Sequence, residues 1–187
     1  MRQEIRLAGF GGQGVISMGI LIACAAGRYE GKQVAQTQSY GPEARGGACK
    51  TEVVISETEI DYIKALKPDV LVAMSQPALD KYSADLDPEK SILIIDDTLI
   101  DSIPEGLKKL YKISATKIAD EELKFKVGAN VFMLGAFAKI TGLVSPESCK
   151  KALVENINPR FITKNLEVFE AGFNYASQIF EQEANII

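Results

Sequence analysis

Four glycines near the amino terminus form the stretch of this sequence whose spacing is best suited to chemistry. Gly9, Gly11 and Gly14 fit the pattern G-x-G-x-x-G, and Gly12 adds a fourth glycine. The apolar run before them predicts a buried strand, and the run after them predicts a helix. Backbone amides at the start of such a helix bind anions such as phosphate. The pattern indicates a dinucleotide or phosphate site, and the alternative is a purely structural turn.

Two polar residues are candidate ligand contacts beside this turn. Gln13 lies within it, where side chains face the carboxyl edge of a sheet, so we expect Gln13 to reach a ligand or a neighbouring chain. Asn130 follows Gly128 and opens an apolar helix. Capping of that helix is the leading interpretation of Asn130, and contact with a ligand at the helix end is the alternative.

A second glycine-rich segment contains Gly41, Glu43, Arg45, Gly46 and Gly47. Three glycines around one arginine are typical of a backbone-rich loop that binds an anionic ligand or lies against a partner's active site. The alternative is a surface crossover in which Glu43 and Arg45 pair in solvent, worth at most about 1 kcal/mol. The glycine content favours the functional interpretation.

Composition excludes several classes of function. The chain has 187 residues, a formal net charge of −4 and no histidine, so nucleic-acid binding and histidine-dependent catalysis are not expected. Its three cysteines form no C-x-x-C pair, which argues against an iron–sulfur or zinc site. Asp96 and Asp97 fit the cap of a turn, with a Mg²⁺ site as the alternative. We therefore predict neither a catalytic residue nor a metal ligand in this chain.

The order of the predicted elements indicates an α/β fold in a single domain spanning residues 1–187. We expect three layers, α/β/α, with a mainly parallel, Rossmann-like sheet and a helical C-terminal third. Strands are predicted at 4–8, 33–37, 50–55, 69–74, 91–95 and 109–113, and helices at 15–29, 77–82, 117–123, 130–141, from 146 onward and at 163–183. Residues 60–63 are expected to form either a short strand that pairs antiparallel with 50–55 or the lead-in to the next strand.

The second predicted strand lacks a residue that a dinucleotide site requires. In a Rossmann unit this strand ends in Asp or Glu, which binds the ribose hydroxyls. Here it ends in Gln36, Thr37 and Gln38, which counts against NAD or FAD. The sequence shows no membrane-spanning run and no signal peptide, so we expect a cytoplasmic protein.

The glycine motifs and several later segments together resemble the gamma subunit of the 2-oxoacid:ferredoxin oxidoreductases. The matching segments are 9–14, 39–47, 51–56, 115–119, 130–136 and 169–172, in the same order along nearly the whole chain. The form Gly-Pro-Glu-Ala-Arg-Gly-Gly-Ala-Cys-Lys at 41–50 is most similar to the 2-oxoglutarate branch. The pyruvate, branched-chain 2-oxoacid and indolepyruvate branches are the alternatives.

The resemblance implies a role within a larger enzyme. Such complexes decarboxylate a 2-oxoacid oxidatively, form an acyl-CoA and reduce ferredoxin, using thiamine diphosphate, Mg²⁺, an iron–sulfur cluster and coenzyme A. The expected partners are alpha, beta and ferredoxin-like subunits, which hold the thiamine diphosphate and the clusters. This chain would bind no cofactor alone and would lie beside the coenzyme A site.

Two further expectations concern the chain by itself. Its apolar content predicts that the isolated chain exposes surface that partners normally cover and pairs with a second copy. The alternative function from another class is a free-standing dinucleotide-binding oxidoreductase, which would bind NAD(P) or FAD without partners.

Overall fold

A computed structural model describes residues 1–39 and 48–184, with side chains described to residue 180. The strands are β1 (Arg2–Phe10), β2 (Gln33–Ser39), β3 (Ala48–Ser56), β4 (Val70–Ala73), β5 (Ile92–Asp96) and β6 (Lys109–Ile113). They form one six-stranded sheet in the order β2-β3-β1-β4-β5-β6. β3 runs antiparallel to both of its neighbours, while β1, β4, β5 and β6 pair in parallel.

The antiparallel pairing differs from the sequence prediction. Residues 60–63 form no strand, and β3 pairs instead with β2 and with the whole length of β1. Tyr62 and Ile63 are about half exposed. Apolar and polar residues do not alternate in this segment, so it has no single face to bury against the core. The segment therefore connects β3 to β4 and does not extend the sheet.

Helices cover both faces of the sheet, which confirms the predicted three-layer α/β/α fold. They are α1 (Val15–Cys24, continued by a π-helical turn at Ala25–Tyr29), α2 (Gln76–Tyr82), α3 (Ala115–Lys117, continued by a π-helical turn at Ile118–Glu122), α4 (Ala129–Thr141), α5 (Pro146–Asn156) and α6 (Ile162–Ala184). The larger core joins α1, α4, α5 and α6 to the sheet. The smaller core lies on the opposite face, under α2.

Two glycines permit an unusually close contact between α4 and α6. A Cβ atom at Gly135 would overlap the Phe169 carbonyl oxygen, and one at Gly172 would overlap the Phe132 carbonyl oxygen. Because the two glycines face each other's helix backbone, α6 lies directly on α4. This contact fixes the amino end of α4, which reaches the glycine turn described below.

Arg6 of β1 carries a buried charge on the face of the sheet that α2 covers, beside the Tyr82 ring. Its side chain is almost fully buried, and its Nε donates to Glu52 Oε1 at 2.9 Å. Its other nitrogens donate to Asp85 and, at 2.6 Å, to the Ala65 carbonyl. Paired on all sides, this charge is tolerated inside the protein.

Among the described helices, none has the length and apolar content needed to cross a bilayer.

Candidate functional site

The carboxyl ends of five strands meet at one edge of the sheet, because β3 alone runs the other way. The glycine turn follows β1 at this edge, and Asp96 ends β5 there. Ser39 ends β2 and Ala48 begins β3 at the same edge. Ligands of open α/β sheets bind at such an edge. We take it as the candidate functional site and call it the carboxyl edge.

The second glycine-rich segment connects two described residues of this edge. Residues 40–47 lie outside the described part of the chain, so the interpretations of Gly41, Glu43, Arg45, Gly46 and Gly47 stay predictions. Ala48, which follows the segment, pairs with Phe10 directly before the glycine turn. The two glycine-rich segments therefore join the sheet at adjacent strand ends.

The four glycines of the turn have different structural roles. Gly12 and Gly14 have φ values of 98° and 74°, in the left-handed region that favours glycine. A Cβ at Gly9 would lie 2.6 Å from Gln13 Oε1. Gly11 is exposed, has open space around it and is not among the positive-φ glycines. Nothing in the described residues requires a glycine at position 11.

The side chain of Gln13 holds the turn closed from within. Its Oε1 accepts from the Phe10 amide at 2.6 Å, and its Nε2 donates to the Met74 carbonyl at 2.7 Å. The amide thus joins the end of β1 to the residue that follows β4. Both ends of the Gln13 side-chain amide are engaged within this chain. A ligand contact by Gln13 stays a prediction.

Asn130 performs a similar function at the start of α4. Capping of α4 by this residue was the leading expectation and is wrong, since Gly128 occupies the N-cap position and no side chain caps the helix. Asn130 Nδ2 donates instead to the Gly14 carbonyl at 3.1 Å. Its side chain fills the space beside Gly14, where a Cβ would overlap it. The pattern around Gly128 gave no information about this long-range partner.

The beginning of α1 presents backbone amides at the carboxyl edge. No side chain caps the helix, and no acidic residue lies in its first turn. Met18 donates to the Gly14 carbonyl at 2.9 Å, so the amides before Met18 precede the helical hydrogen-bond ladder. Uncapped amides and the helix dipole favour an anion at this position. The geometry suits binding of phosphate or carboxylate.

Two titratable groups at the carboxyl edge have a raised pKa. Cys49 Sγ donates to the Gly9 carbonyl at 3.3 Å, and burial raises the pKa of this thiol. Burial also raises the pKa of the Asp96 carboxyl, although hydrogen bonds from Thr116 and Thr98 oppose the shift. Both groups are engaged in hydrogen bonds within the chain.

Asp96 caps turns, as its position at a strand end predicts. Its Oδ1 accepts from the Thr98 amide at 3.2 Å, and its Oδ2 accepts from the Thr116 amide at 3.0 Å and the Thr116 hydroxyl at 2.5 Å. The carboxylate therefore joins the ends of β5 and β6. Within residues 1–39 and 48–184, no three histidine, cysteine or acidic residues cluster as metal ligands.

Ser75 lies at the carboxyl edge just after β4. It precedes α2 as its N-cap residue but makes no capping bond. Its hydroxyl is the one buried side-chain polar atom in the described part of the chain that lacks a hydrogen-bond partner. Ser75 directly follows Met74, the residue that Gln13 contacts. Position in the sequence carries no signal for an unpaired hydroxyl.

A cavity of about 380 Å³ lies on the helical side of the turn, between α1, α4 and the start of α6. Asn130 forms part of its wall, and Ile20, Val127 and Phe161 lie on its lining. These three apolar side chains are 40%, 79% and 51% exposed. No sequence pattern indicates this cavity, because its lining comes from segments far apart in the chain.

The position of β3 explains why the second strand lacks an acidic end. In a Rossmann unit the second strand lies beside the first, and its acidic end reaches the ribose. Here β3 lies between β1 and β2, so β2 is displaced by one further strand spacing of about 4.8 Å. The residue paired with Gly9 is Cys49. The described edge therefore lacks the carboxylate of a dinucleotide site.

Comparison with known proteins assigns this architecture. A family model described as pyruvate ferredoxin/flavodoxin oxidoreductase matches residues 4–175. The chain belongs to this family. A relative from Methanocaldococcus jannaschii, named 2-oxoglutarate synthase subunit KorC, is 48% identical over 181 residues, which are 96% of each chain.

Two solved structures agree with the family assignment. The gamma subunit of a keto/oxoacid ferredoxin oxidoreductase from Geobacter sulfurreducens has a TM-score of 0.87 and 39% identity, covering 95% of this chain and 98% of that one. A 2-oxoglutarate:ferredoxin oxidoreductase from Magnetococcus marinus has a TM-score of 0.82 and 27% identity over 95% of this chain and 31% of that one. The resemblance to the gamma subunit, stated from the sequence motifs, is confirmed.

Proposed function

We propose that this chain is the gamma subunit of a 2-oxoglutarate:ferredoxin oxidoreductase and that its carboxyl edge forms part of the coenzyme A site. The 48% identity to the KorC subunit supports the 2-oxoglutarate branch. The Magnetococcus relative was solved with 2-oxoglutarate, coenzyme A and succinyl-CoA bound. Conversion of 2-oxoglutarate to succinyl-CoA uses coenzyme A as the acyl acceptor. Coenzyme A carries phosphate groups, so its site in the complex must bind anions.

The observation that carries the proposal is the uncapped start of α1 beside two exposed glycines. Gly11, Gly12 and Gly14 leave backbone amides open to a phosphate or to a partner's backbone. Gln13 and Asn130 hold those amides in place from behind. We place Gly41, Glu43, Arg45, Gly46 and Gly47 alongside, with Arg45 supplying positive charge to the anion.

The remaining parts of the reaction belong to other chains in this proposal. Alpha and beta subunits hold thiamine diphosphate with Mg²⁺, which supplies the decarboxylation chemistry. The iron–sulfur cluster lies in the beta or a ferredoxin-like subunit and passes electrons to ferredoxin. The gamma chain binds none of these by itself, and the complex works in the cytoplasm.

The experiment adds bulk where the described structure has room. Gly11→Leu should leave the free energy of unfolding of the isolated subunit within about 0.5 kcal/mol of wild type, because open space surrounds position 11. In the reconstituted complex it should raise the KM for coenzyme A about tenfold or weaken subunit assembly. Steady-state kinetics and gel filtration of the complex measure both effects.

Ala84→Leu is the matched control, because Ala84 is exposed in the turn that follows α2, away from the carboxyl edge. This variant should assemble and use coenzyme A like wild type. Arg45→Ala should raise the KM for coenzyme A in the same way as Gly11→Leu. Normal assembly and normal coenzyme A kinetics in both edge variants would disprove the proposed role of the edge.

The choice of 2-oxoacid is a separate question with its own test. The reconstituted complex should reduce ferredoxin with 2-oxoglutarate at a higher kcat/KM than with pyruvate, a branched-chain 2-oxoacid or indolepyruvate. A preference for one of the other acids would move the chain to that branch while leaving the role of the edge intact.

A further inference from the structure

The cavity on the helical side of the glycine turn lies beside the carboxyl edge and has a chemistry of its own. Its volume is about 380 Å³, and its walls come from α1, α4, the end of α5 and the start of α6. Pockets that hold small organic groups have volumes of about 300 to 1,000 Å³, so an aromatic ring fits here. We call it the helical cavity, with walls that include Ile20, Phe125, Asn130 and Asn165.

Two buried asparagines present hydrogen-bond acceptors to the helical cavity. Asn130 Nδ2 donates to the Gly14 carbonyl at 3.1 Å, and Asn165 Nδ2 donates to the Phe161 carbonyl at 2.8 Å. These bonds fix the orientation of each amide, because a carbonyl accepts only from the nitrogen. Neither Oδ1 has a partner among the described residues, and neither is among the fully buried atoms that lack one. Both oxygens are therefore accessible from the cavity that their residues line.

The rest of the described lining is neutral and largely apolar. Phe125 and Phe161 supply aromatic surface, and no acidic or basic side chain is part of this lining. A cation would lose its hydration here without gaining a carboxylate, which is unfavourable. A purely apolar group would exclude water from two carbonyl oxygens and leave them without hydrogen bonds. The cavity therefore suits a flat, neutral group that carries an N–H or O–H donor.

The mouth of the helical cavity is apolar as well. Ile20, Val127 and Phe161 are 40%, 79% and 51% exposed, and all three line the cavity. Single exposed apolar residues are normal on a protein surface, whereas a group of them around a concave site marks an interaction surface. A small ligand inside the cavity would leave Val127 exposed, but a protein surface would cover it.

We propose that the helical cavity receives a tryptophan or tyrosine side chain from a neighbouring subunit of the oxidoreductase complex. The ring lies against Phe125 and Phe161, and its N–H or O–H donates to Oδ1 of Asn130 or Asn165. Aromatic side chains with a polar tip commonly anchor interfaces by filling such pockets. The Magnetococcus relative supports a protein occupant, because the matching unit is 31% of a longer chain and is thus joined to further protein. The inference rests on the proposed function only in requiring partner subunits.

Indole tests the chemistry of the helical cavity in the isolated full chain. It is the ring of tryptophan, and its N–H donates but does not accept. We expect indole to bind with a Kd of about 1 mM. The matched probe 1-methylindole has the same ring without the donor and should bind at least fivefold more weakly. NMR shifts of the Asn130 and Asn165 side-chain amides measure both, and equal shifts or none at about 10 mM would overturn the proposal.

A cavity-filling variant tests the occupant in the complex. Ile20→Trp places a ring of this chain in the cavity and should weaken assembly with the purified partner subunits at least tenfold. Ile63→Trp is the matched control, because Ile63 is 49% exposed in the segment between β3 and β4, away from the cavity. Both variants should unfold at urea midpoints close to wild type. Equal assembly of the two variants, whether normal or weakened, would overturn the proposal.

Crosslinking identifies the occupant directly. With p-benzoylphenylalanine in place of Val127 at the cavity mouth, irradiation of the reconstituted complex should join this chain to a partner peptide that contains tryptophan or tyrosine. Replacing that partner residue by leucine should weaken assembly as Ile20→Trp does. No crosslink to a partner, or a peptide without either residue, would overturn the proposal. None of these measurements involves coenzyme A, so they stand apart from the test of the carboxyl edge.

Discussion

The glycines at the carboxyl edge that match the G-x-G-x-x-G pattern have different physical roles. Gly9 leaves space for the Gln13 side chain, while Gly12 and Gly14 adopt positive φ. Gly11 satisfies neither requirement. The motif therefore combines three glycines that build the turn with Gly11, which leaves the surface of the turn accessible. Of the four, only Gly11 has no structural role within the described part of the chain and is a candidate for contact with a ligand or partner.

Glu30 illustrates a residue whose charge supports the fold at a distance from the site. Its Oε2 accepts from Lys32 Nζ at 2.7 Å, and its Oε1 accepts from the Ser145 amide at 2.6 Å. Burial raises the pKa of this carboxyl, but the hydrogen bonds from Lys32 and Ser145 outweigh it, so the pKa lies below its ordinary value of 4.5. The ionised group thus links the end of the α1 segment to the N-cap of α5.

Glu30→Gln should lower the free energy of unfolding by about 1–2 kcal/mol at neutral pH, because it removes the charge that both donors contact. A depressed folded-state pKa gives stability that is present above the unfolded-state pKa and is lost as the pH falls through the folded-state pKa. The difference in unfolding free energy between variant and wild type should therefore narrow as the pH falls below 4.5. Urea unfolding at several pH values measures it, and a constant gap would contradict the assignment.

At the scale of elements, the contact between α4 and α6 positions the site. Gly135 and Gly172 let the two helix backbones touch, and the amino end of α4 then delivers Asn130 to the Gly14 carbonyl. A run that is apolar nearly all round predicted α4, and helical periodicity predicted α6. It could not predict how closely they pack, because closeness depends on which residues face each other across the pair.

Gly172→Ala should destabilise the protein by about 3 kcal/mol or more, because the added methyl group meets the Phe132 backbone, which cannot move without shifting α4. Gly27→Ala is the matched control, since its Cβ would lie 3.4 Å from Val34 in ordinary contact. That control should be neutral or slightly stabilising through its higher helix propensity. Similar unfolding midpoints for the two variants would contradict the packing argument.

At the scale of the whole molecule, the order of the strands separates this protein from dinucleotide-binding enzymes. The glycine turn has the local sequence of a nucleotide site, yet β3 lies between β1 and β2. The strand next to β1 on that side presents Cys49 rather than a carboxylate at the turn. The strand order thus surrounds the same local motif with different residues from those of a dinucleotide site.

The purified chain should consequently bind neither NAD(H), NADP(H) nor FAD. Isothermal titration calorimetry should show no heat of binding up to about 1 mM dinucleotide, where even a −4.1 kcal/mol interaction would begin to appear. Coenzyme A titrated into the reconstituted complex is the positive comparison. Saturable NAD(P) or FAD binding by the chain alone would favour the free-standing oxidoreductase.

The sequence by itself determined the features that depend on near neighbours. Alternating and helical periodicities placed the strands and helices, and the glycine spacing located the turn at the carboxyl edge. The prediction that Asp96 caps a turn is confirmed because its acceptor groups serve amides close to a strand end. The combined motifs were specific enough to identify the gamma subunit, as the comparisons confirm.

Only the tertiary structure decided which distant groups meet. It paired β3 with β1 and β2 instead of with residues 60–63, and it turned the Asn130 side chain from capping α4 to holding Gly14. It also placed the Arg6 charge inside a network with Glu52. Each of these contacts joins residues far apart in the chain, where neither propensity nor periodicity carries information about the partner.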